Sequence, residues 1–112
     1  MLKEAKLALR VTASAYDEEI MRLLVAGAMD LETAGVILPG TVSYTVADFQ
    51  VQDQSTLTDP LCQQAIFTYA AMHFGNNPKY DKLEKAYDVM KGQLMHAAGY
   101  TDYGEDDSHD EG

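Results

Sequence analysis

The sequence predicts a mainly α-helical protein, a small bundle of about four helices with a long, β-hairpin-prone loop between the second and third helices. Apolar residues recur at helical spacing in four segments, and Gly or Pro residues mark several of the segment ends. The stretch 36–57 instead alternates apolar and polar residues. The chain of 112 residues fits one domain. We therefore expect a helical domain at residues 1–99 and an acidic arm at residues 100–112.

The first two helices are predicted at residues 2–9 and 17–34. The first is short, and short helices are marginal alone because nucleation is costly. The second opens with three acidic residues, where the helix dipole favours negative charge. It ends before Gly35, at a position where a left-handed cap suits glycine. Its apolar face comprises Ile20, Leu23, Leu24, Gly27, Ala28 and Leu31.

The third helix is predicted to begin at Asp59-Pro60, because Asp is a preferred N-cap and Pro tolerates the first helical position. It carries two overlapping apolar stripes, which indicate burial around much of its circumference. The run 75–78 ends it with Gly, Asn and Pro. The fourth helix is predicted from about Tyr80 to Ala98, with a short seam of coiled-coil spacing. The seam residues are Tyr80, Leu83, Tyr87, Met90, Leu94 and Ala97.

The loop at residues 36–57 carries strand signals. Three apolar residues alternate with Ser43 and Thr45, and two more follow Asp48, which is expected in a turn. A two-stranded hairpin is marginal by itself, and a connection of this length is unusual in a compact helical domain. We therefore expect the loop to pair with its own domain or a neighbouring subunit, while the pattern alone allows a mobile loop equally well.

The charge distribution excludes several classes of function. The chain has 18 acidic residues against 8 Lys and Arg, and residues 100–112 hold six of the acidic residues with no basic one. This balance argues against proteins that grip nucleic-acid phosphates or anionic membranes. No apolar run is long enough to span a bilayer, and the N-terminus lacks the apolar stretch of a signal peptide. The acidic arm is expected to be solvated or to bind a partner.

No constellation of residues predicts catalysis, a metal or a cofactor. Cys62 is the single cysteine and is expected to be a small buried residue. His73 and His96 lack the neighbours that a ligand or a catalytic base needs. His109 lies among Asp107, Asp110 and Glu111, which in a solvated tail would hold a divalent cation only weakly. We therefore expect a protein that is not an enzyme and carries no cofactor.

Two groups of residues resemble the tailed-bacteriophage head–tail connector (adaptor, head-completion) family. The first half matches through Leu7-Ala8-Leu9-Arg10-Val11 and through the pattern from Asp17-Glu18-Glu19-Ile20 to Ala34-Gly35-Val36. The second half matches through Asp59-Pro60-Leu61, Ala65-Ile66, Tyr69, His73-Phe74-Gly75, Tyr87 and Leu94. The resemblance covers about residues 2–98, excluding the loop at 36–57, and its motifs are structural rather than catalytic.

The resemblance implies a virion structural protein at the phage neck, assembled in the host bacterial cytoplasm. Such subunits form a homo-oligomeric ring, usually twelvefold, under the portal vertex after DNA packaging. The ring extends the DNA channel and offers a platform to the stopper or tail. An acidic lumen would let DNA pass without specific binding, because it repels phosphate.

Two sets of contact residues follow as hypotheses. Those expected to contact a neighbouring subunit or the stopper are Val42, Tyr44, Val46, Phe49 and Val51. Those expected to dock the arm on the portal are Tyr100, Asp102, Tyr103, Glu105, Asp106 and Asp107. The alternatives are an acidic protein-interaction module that mimics DNA and inhibits a nucleic-acid enzyme, and a small enzyme.

Overall fold

The computed structural model describes residues 1–75, 77–97 and 99–100, and its secondary structure is mainly helical, as the sequence predicts. A 3₁₀ turn at Ser14–Tyr16 precedes the second helix. Over the residues described, no helix combines the length and the apolar content needed to cross a membrane. The elements are α1 (Leu2–Leu9), α2 (Asp17–Thr33), β1 (Tyr44–Ala47), β2 (Gln50–Asp53), α3 (Pro60–His73) and α4 (Tyr80–His96).

The ends of the helices follow the predicted signals closely. The Asp59 side chain accepts a hydrogen bond of 3.0 Å from the Cys62 N–H at the start of α3, with Pro60 in the first turn. Gly35 adopts a φ of 101° after α2, which is the left-handed cap that the sequence predicts. The predicted end of α4 at Ala98 lies outside the described residues, and α4 ends at His96.

The core forms where α3 packs against both α2 and α4, while α1 packs against α2 and α3. Gly27 of α2 brings the α2 backbone close to Tyr69, because a Cβ at this position would lie 3.1 Å from the Tyr69 ring. Within the predicted seam of α4, only Tyr87 and Leu94 are buried. The largest fully buried side chains are Ile20, Met21, Leu24, Leu31, Leu57, Cys62 and Ile66.

The connection between α2 and α3 is an antiparallel β-hairpin. Val46 of β1 pairs with Val51 of β2, so the two-residue turn falls at Asp48 and Phe49. Asp48 lies in the turn as expected, whereas the prediction that Phe49 belongs to the second strand is wrong. Phe49 is a strong β-former, but the strand register leaves it in the turn.

Side-chain hydrogen bonds also pair the residues just before β1 with those just after β2. Thr41 and Thr56 form a backbone-to-hydroxyl bond of 2.9 Å and a hydroxyl–hydroxyl bond of 3.0 Å. At Gly40 the two halves of the loop approach so closely that a Cβ would lie 2.6 Å from the Leu57 backbone. The loop is therefore a paired arm that starts at the core and ends at the turn.

Candidate interaction surface

The hairpin turn presents an aromatic side chain to solvent. Asp48 has a φ of 53° and Phe49 a φ of 62°, so both central residues of the turn are left-handed. This backbone matches a type I′ turn, whose twist suits hairpins but which favours Asn, Asp or Gly. Phe49 is fully exposed, and Val46 beside it is 48% exposed. A fully exposed aromatic residue in a left-handed turn is a candidate contact.

The other predicted contact residues of the loop face the body of the protein. Tyr44 and Val51 lie on the same face of the hairpin as Val46, and both pack against the core. Val42 also packs there, just before β1. These three residues hold the hairpin against the helices, and only Val46 and Phe49 of the predicted set remain open to a partner.

The base of the hairpin is fixed to the start of α1 through Asp53. Its carboxylate lies 2.8 Å from the Met1 amino group and accepts a bond of 2.7 Å from the Leu2 N–H. The Ser55 N–H donates to its other oxygen at 3.0 Å. Burial raises the pKa of Asp53, but the hydrogen bonds from Met1, Leu2 and Ser55 outweigh burial and lower it to about 2. The charged carboxylate therefore joins two distant parts of the chain.

The tip of the hairpin stands over the acidic start of α2. Val46, Phe49, Gln50 and Val51 line one side of a groove of about 470 Å³. The opposite side comprises Ser14, Ala15, Asp17 and Glu18. Asp17 is paired with Lys6 at 2.7 Å and Glu18 with Arg22 at 3.3 Å. Asp48 adds an exposed acid at the turn, so this surface combines an apolar tip with negative charge.

The C-terminal arm begins at a fixed point on the body. The Tyr100 hydroxyl donates a hydrogen bond of 2.8 Å to Asp59, and the Ile37 N–H donates to the Tyr100 carbonyl. The bond to Asp59 raises the pKa of Tyr100, while the Cys62 N–H and Tyr100 together lower that of Asp59. Of the predicted portal-docking residues, Tyr100 alone is described; Asp102, Tyr103, Glu105, Asp106 and Asp107 lie outside the described residues.

Sequence reasoning missed a polar cluster that links α2 to α4. The Tyr87 hydroxyl donates to Asp30, and Lys91 Nζ lies 3.2 Å from the same carboxylate oxygen. Lys91 also sits 5.2 Å from the centre of the Tyr87 ring. Burial and the bond to Asp30 raise the pKa of Tyr87, so its hydroxyl remains a donor. Nothing in the sequence pattern signals this pairing across more than fifty residues.

The described residues contain no group of three or more His, Cys, Asp or Glu side chains arranged to hold a metal ion. Burial raises the pKa of the Cys62 thiol to about 12, so it remains a packed thiol. The His73 ring packs against Tyr69 and Tyr80 at centroid distances of 4.6 and 5.8 Å. Cys62 is therefore a buried residue of the core, and His73 is an exposed residue whose ring contacts two tyrosines.

Comparison with known proteins gives one family match. A family model described as phage connector protein matches residues 1–101, which includes both halves of the helical body and the hairpin. No curated protein and no solved structure matches the chain significantly.

Proposed function

Because this chain belongs to the phage connector protein family, we propose that it forms a homo-oligomeric ring that joins the portal vertex to the stopper or tail. The family is structural rather than enzymatic, and its place is the neck of the virion. The sequence resemblance implies a ring of twelve subunits. In this role the ring extends the DNA channel after packaging.

The observation that carries the proposal is the exposed tip of the hairpin. Phe49 is fully exposed and Val46 is half-exposed, although the rest of the apolar hairpin face is packed against the core. An apolar tip held out on an ordered arm suits contact with a second protein. Tyr44 and Val51 contribute indirectly, because they fix the direction of the arm.

The acidic arm supplies the second proposed contact, with the portal. Tyr100 anchors the root of the arm to Asp59, so the residues that follow start from a defined place. The arm carries six of the acidic residues of the chain, and a basic surface on the portal would match them.

The excess of acid also suits a protein that surrounds DNA without binding it. The formal net charge is −10 for the whole chain. Negative charge facing a channel repels phosphate, so DNA can slide without being held. We expect no measurable binding of duplex DNA at low salt.

The size of the particle tests the proposal. We expect sedimentation and native mass measurements to show an oligomer of defined subunit number, either for the protein alone at high concentration or after mixing with the portal protein of the same phage. A monomer under all these conditions, with no portal complex, would contradict the proposal.

Removal of the arm tests the portal contact separately. Deleting residues 101–112 keeps Tyr100 and its bond to Asp59, so the body should fold as before. We expect the deletion to weaken portal binding at least tenfold while leaving self-association intact. A matched variant with Asp102, Asp106 and Asp107 changed to Asn separates the effect of charge from that of length. Unchanged portal binding by the deletion would exclude the arm as the docking segment.

A further inference from the structure

We propose that the hairpin tip of one copy of this chain docks in a groove between α1, α3 and α4 of a second copy. The inference rests on the ring proposed above and adds which two surfaces meet. One partner is the tip formed by Val46, Asp48 and Phe49. The other is an open groove along α3, which we call the α3 groove.

The α3 groove is largely apolar and has a volume of about 470 Å³. Its floor lies on α3, and Ala8 of α1 and Leu83 of α4 form its two walls. The residues of α3 and its first turn that line it are Pro60, Gln63, Gln64, Phe67, Thr68 and Ala71.

The hairpin tip provides an occupant of matching chemistry. Among the described residues nothing covers the Phe49 side chain, and covering an aromatic side chain removes about 150–250 Å² from water. Its left-handed backbone is an unfavourable conformation for a bulky residue. A glycine or asparagine would serve the turn better, so the phenylalanine has a use that the hairpin itself does not supply.

Residues of opposite charge lie beside the two surfaces: Asp48 at the tip, and beside the α3 groove Lys79 and Lys82, which alternate with Asp81 and Glu84. Asp48 adjoins Phe49, and the acidic start of α2 lies across the tip. On the α4 side of the α3 groove, Lys79 lies one helical turn before Leu83 and Lys82 is its neighbour. Within the described residues neither lysine has a carboxylate within 4.0 Å. The lysines can therefore pair with the acidic tip of another copy.

The two surfaces share no residue, so a contact between them is head-to-tail. When two copies meet through two different patches, one patch of each kind stays free on the pair. Further copies can therefore add until the rotation between neighbouring copies closes a ring. The proposed ring requires this kind of contact.

The first test changes Phe49→Gly. Asp-Gly is a favoured pair for a type I′ turn, so the hairpin should be as stable as before or more so. We expect the thermal midpoint to stay equal or rise, while the concentration needed for self-association rises at least tenfold. Met29→Ala is the matched control, because Met29 is an exposed apolar residue on α2 that lines neither surface. Unchanged association of the Phe49→Gly variant would overturn the inference.

The second test exchanges the charges. Asp48→Lys alone and Lys82→Glu alone should each weaken association, and the double variant should restore it. The helix dipole favours a glutamate in the first turn of α4, so the Lys82→Glu change should not destabilise the helix. A loss of association by this variant would therefore not reflect a damaged helix. Failure of the double variant to restore association would contradict the pairing of these two surfaces.

A crosslink identifies the occupant of the groove. We expect a short bifunctional maleimide to join a Phe49→Cys chain to a separate Thr68→Cys chain, since the native Cys62 is buried. A crosslink between two Thr68→Cys chains instead would show a symmetric contact through the α3 groove and overturn the inference. Rings that form without the expected crosslink would overturn it and leave the proposed function standing. If the protein formed no oligomer, either alone or with the portal protein, both the inference and the proposed function would be contradicted.

Discussion

Two aspartates, Asp53 and Asp59, each join parts of the chain that are far apart in sequence. Asp53 connects the base of the hairpin to the start of α1. Asp59 caps α3 and receives the hydroxyl of Tyr100 at the root of the arm. In both cases hydrogen bonds favour the charged carboxylate, which keeps its pKa low. Single carboxylates therefore fix the positions of the two segments proposed to contact partners.

The lowered pKa of Asp53 predicts loss of stability in acid. The pKa falls from 3.8 to about 2 on folding, so the contribution of Asp53 is complete above about pH 4 and is lost as the pH falls towards 2. We expect the difference in unfolding free energy between the wild type and Asp53→Asn to shrink over this interval. Urea denaturation from pH 7 to pH 2 measures it.

Asp48→Asn serves as the control for the acid titration, because it changes an exposed aspartate on the same hairpin without touching α1. Its difference from the wild type should not follow the profile of Asp53→Asn. A difference for Asp53→Asn that is constant down to pH 2 would show that the carboxylate does not hold the hairpin base.

At the scale of elements, the helices were predictable because their signals are local. Asp59-Pro60 and Gly35 mark ends that depend on a few neighbouring residues. The sequence places Asp48 correctly in the turn, but it assigns Phe49 to the second strand, because strand register and not the propensity of Phe49 decides where the strand begins. The bonds of Tyr87 to Asp30 and of Tyr100 to Asp59 join distant elements, so no local pattern reveals them.

The bond between Tyr87 and Asp30 ties α2 to α4 and makes a measurable contribution. Tyr87→Phe removes the donor while keeping the buried ring, so we expect the unfolding free energy to fall by about 1–2 kcal/mol. Urea denaturation at pH 7 measures the change. Tyr16→Phe is the control, because Tyr16 is 46% exposed and packs through its ring against Phe74. If the two variants lowered the unfolding free energy equally, the hydrogen bond between Tyr87 and Asp30 would add nothing to stability.

At the scale of the whole molecule, the hairpin tip and the root of the acidic arm lie at opposite ends of α2. The hairpin tip stands beside Asp17 and Glu18 at its start, while Tyr100 bonds Ile37 just beyond its end. A helix of 17 residues separates these points by roughly 25 Å. One end can then join neighbouring subunits while the other reaches the portal.

Imaging of the protein with the portal tests the central claim most directly. The wild-type protein and the portal protein of the same phage are mixed and viewed by negative-stain electron microscopy. We expect a ring of this protein stacked on the axis of the portal ring, with an open central channel. Portal rings without added density, beside isolated small subunits, would contradict the account.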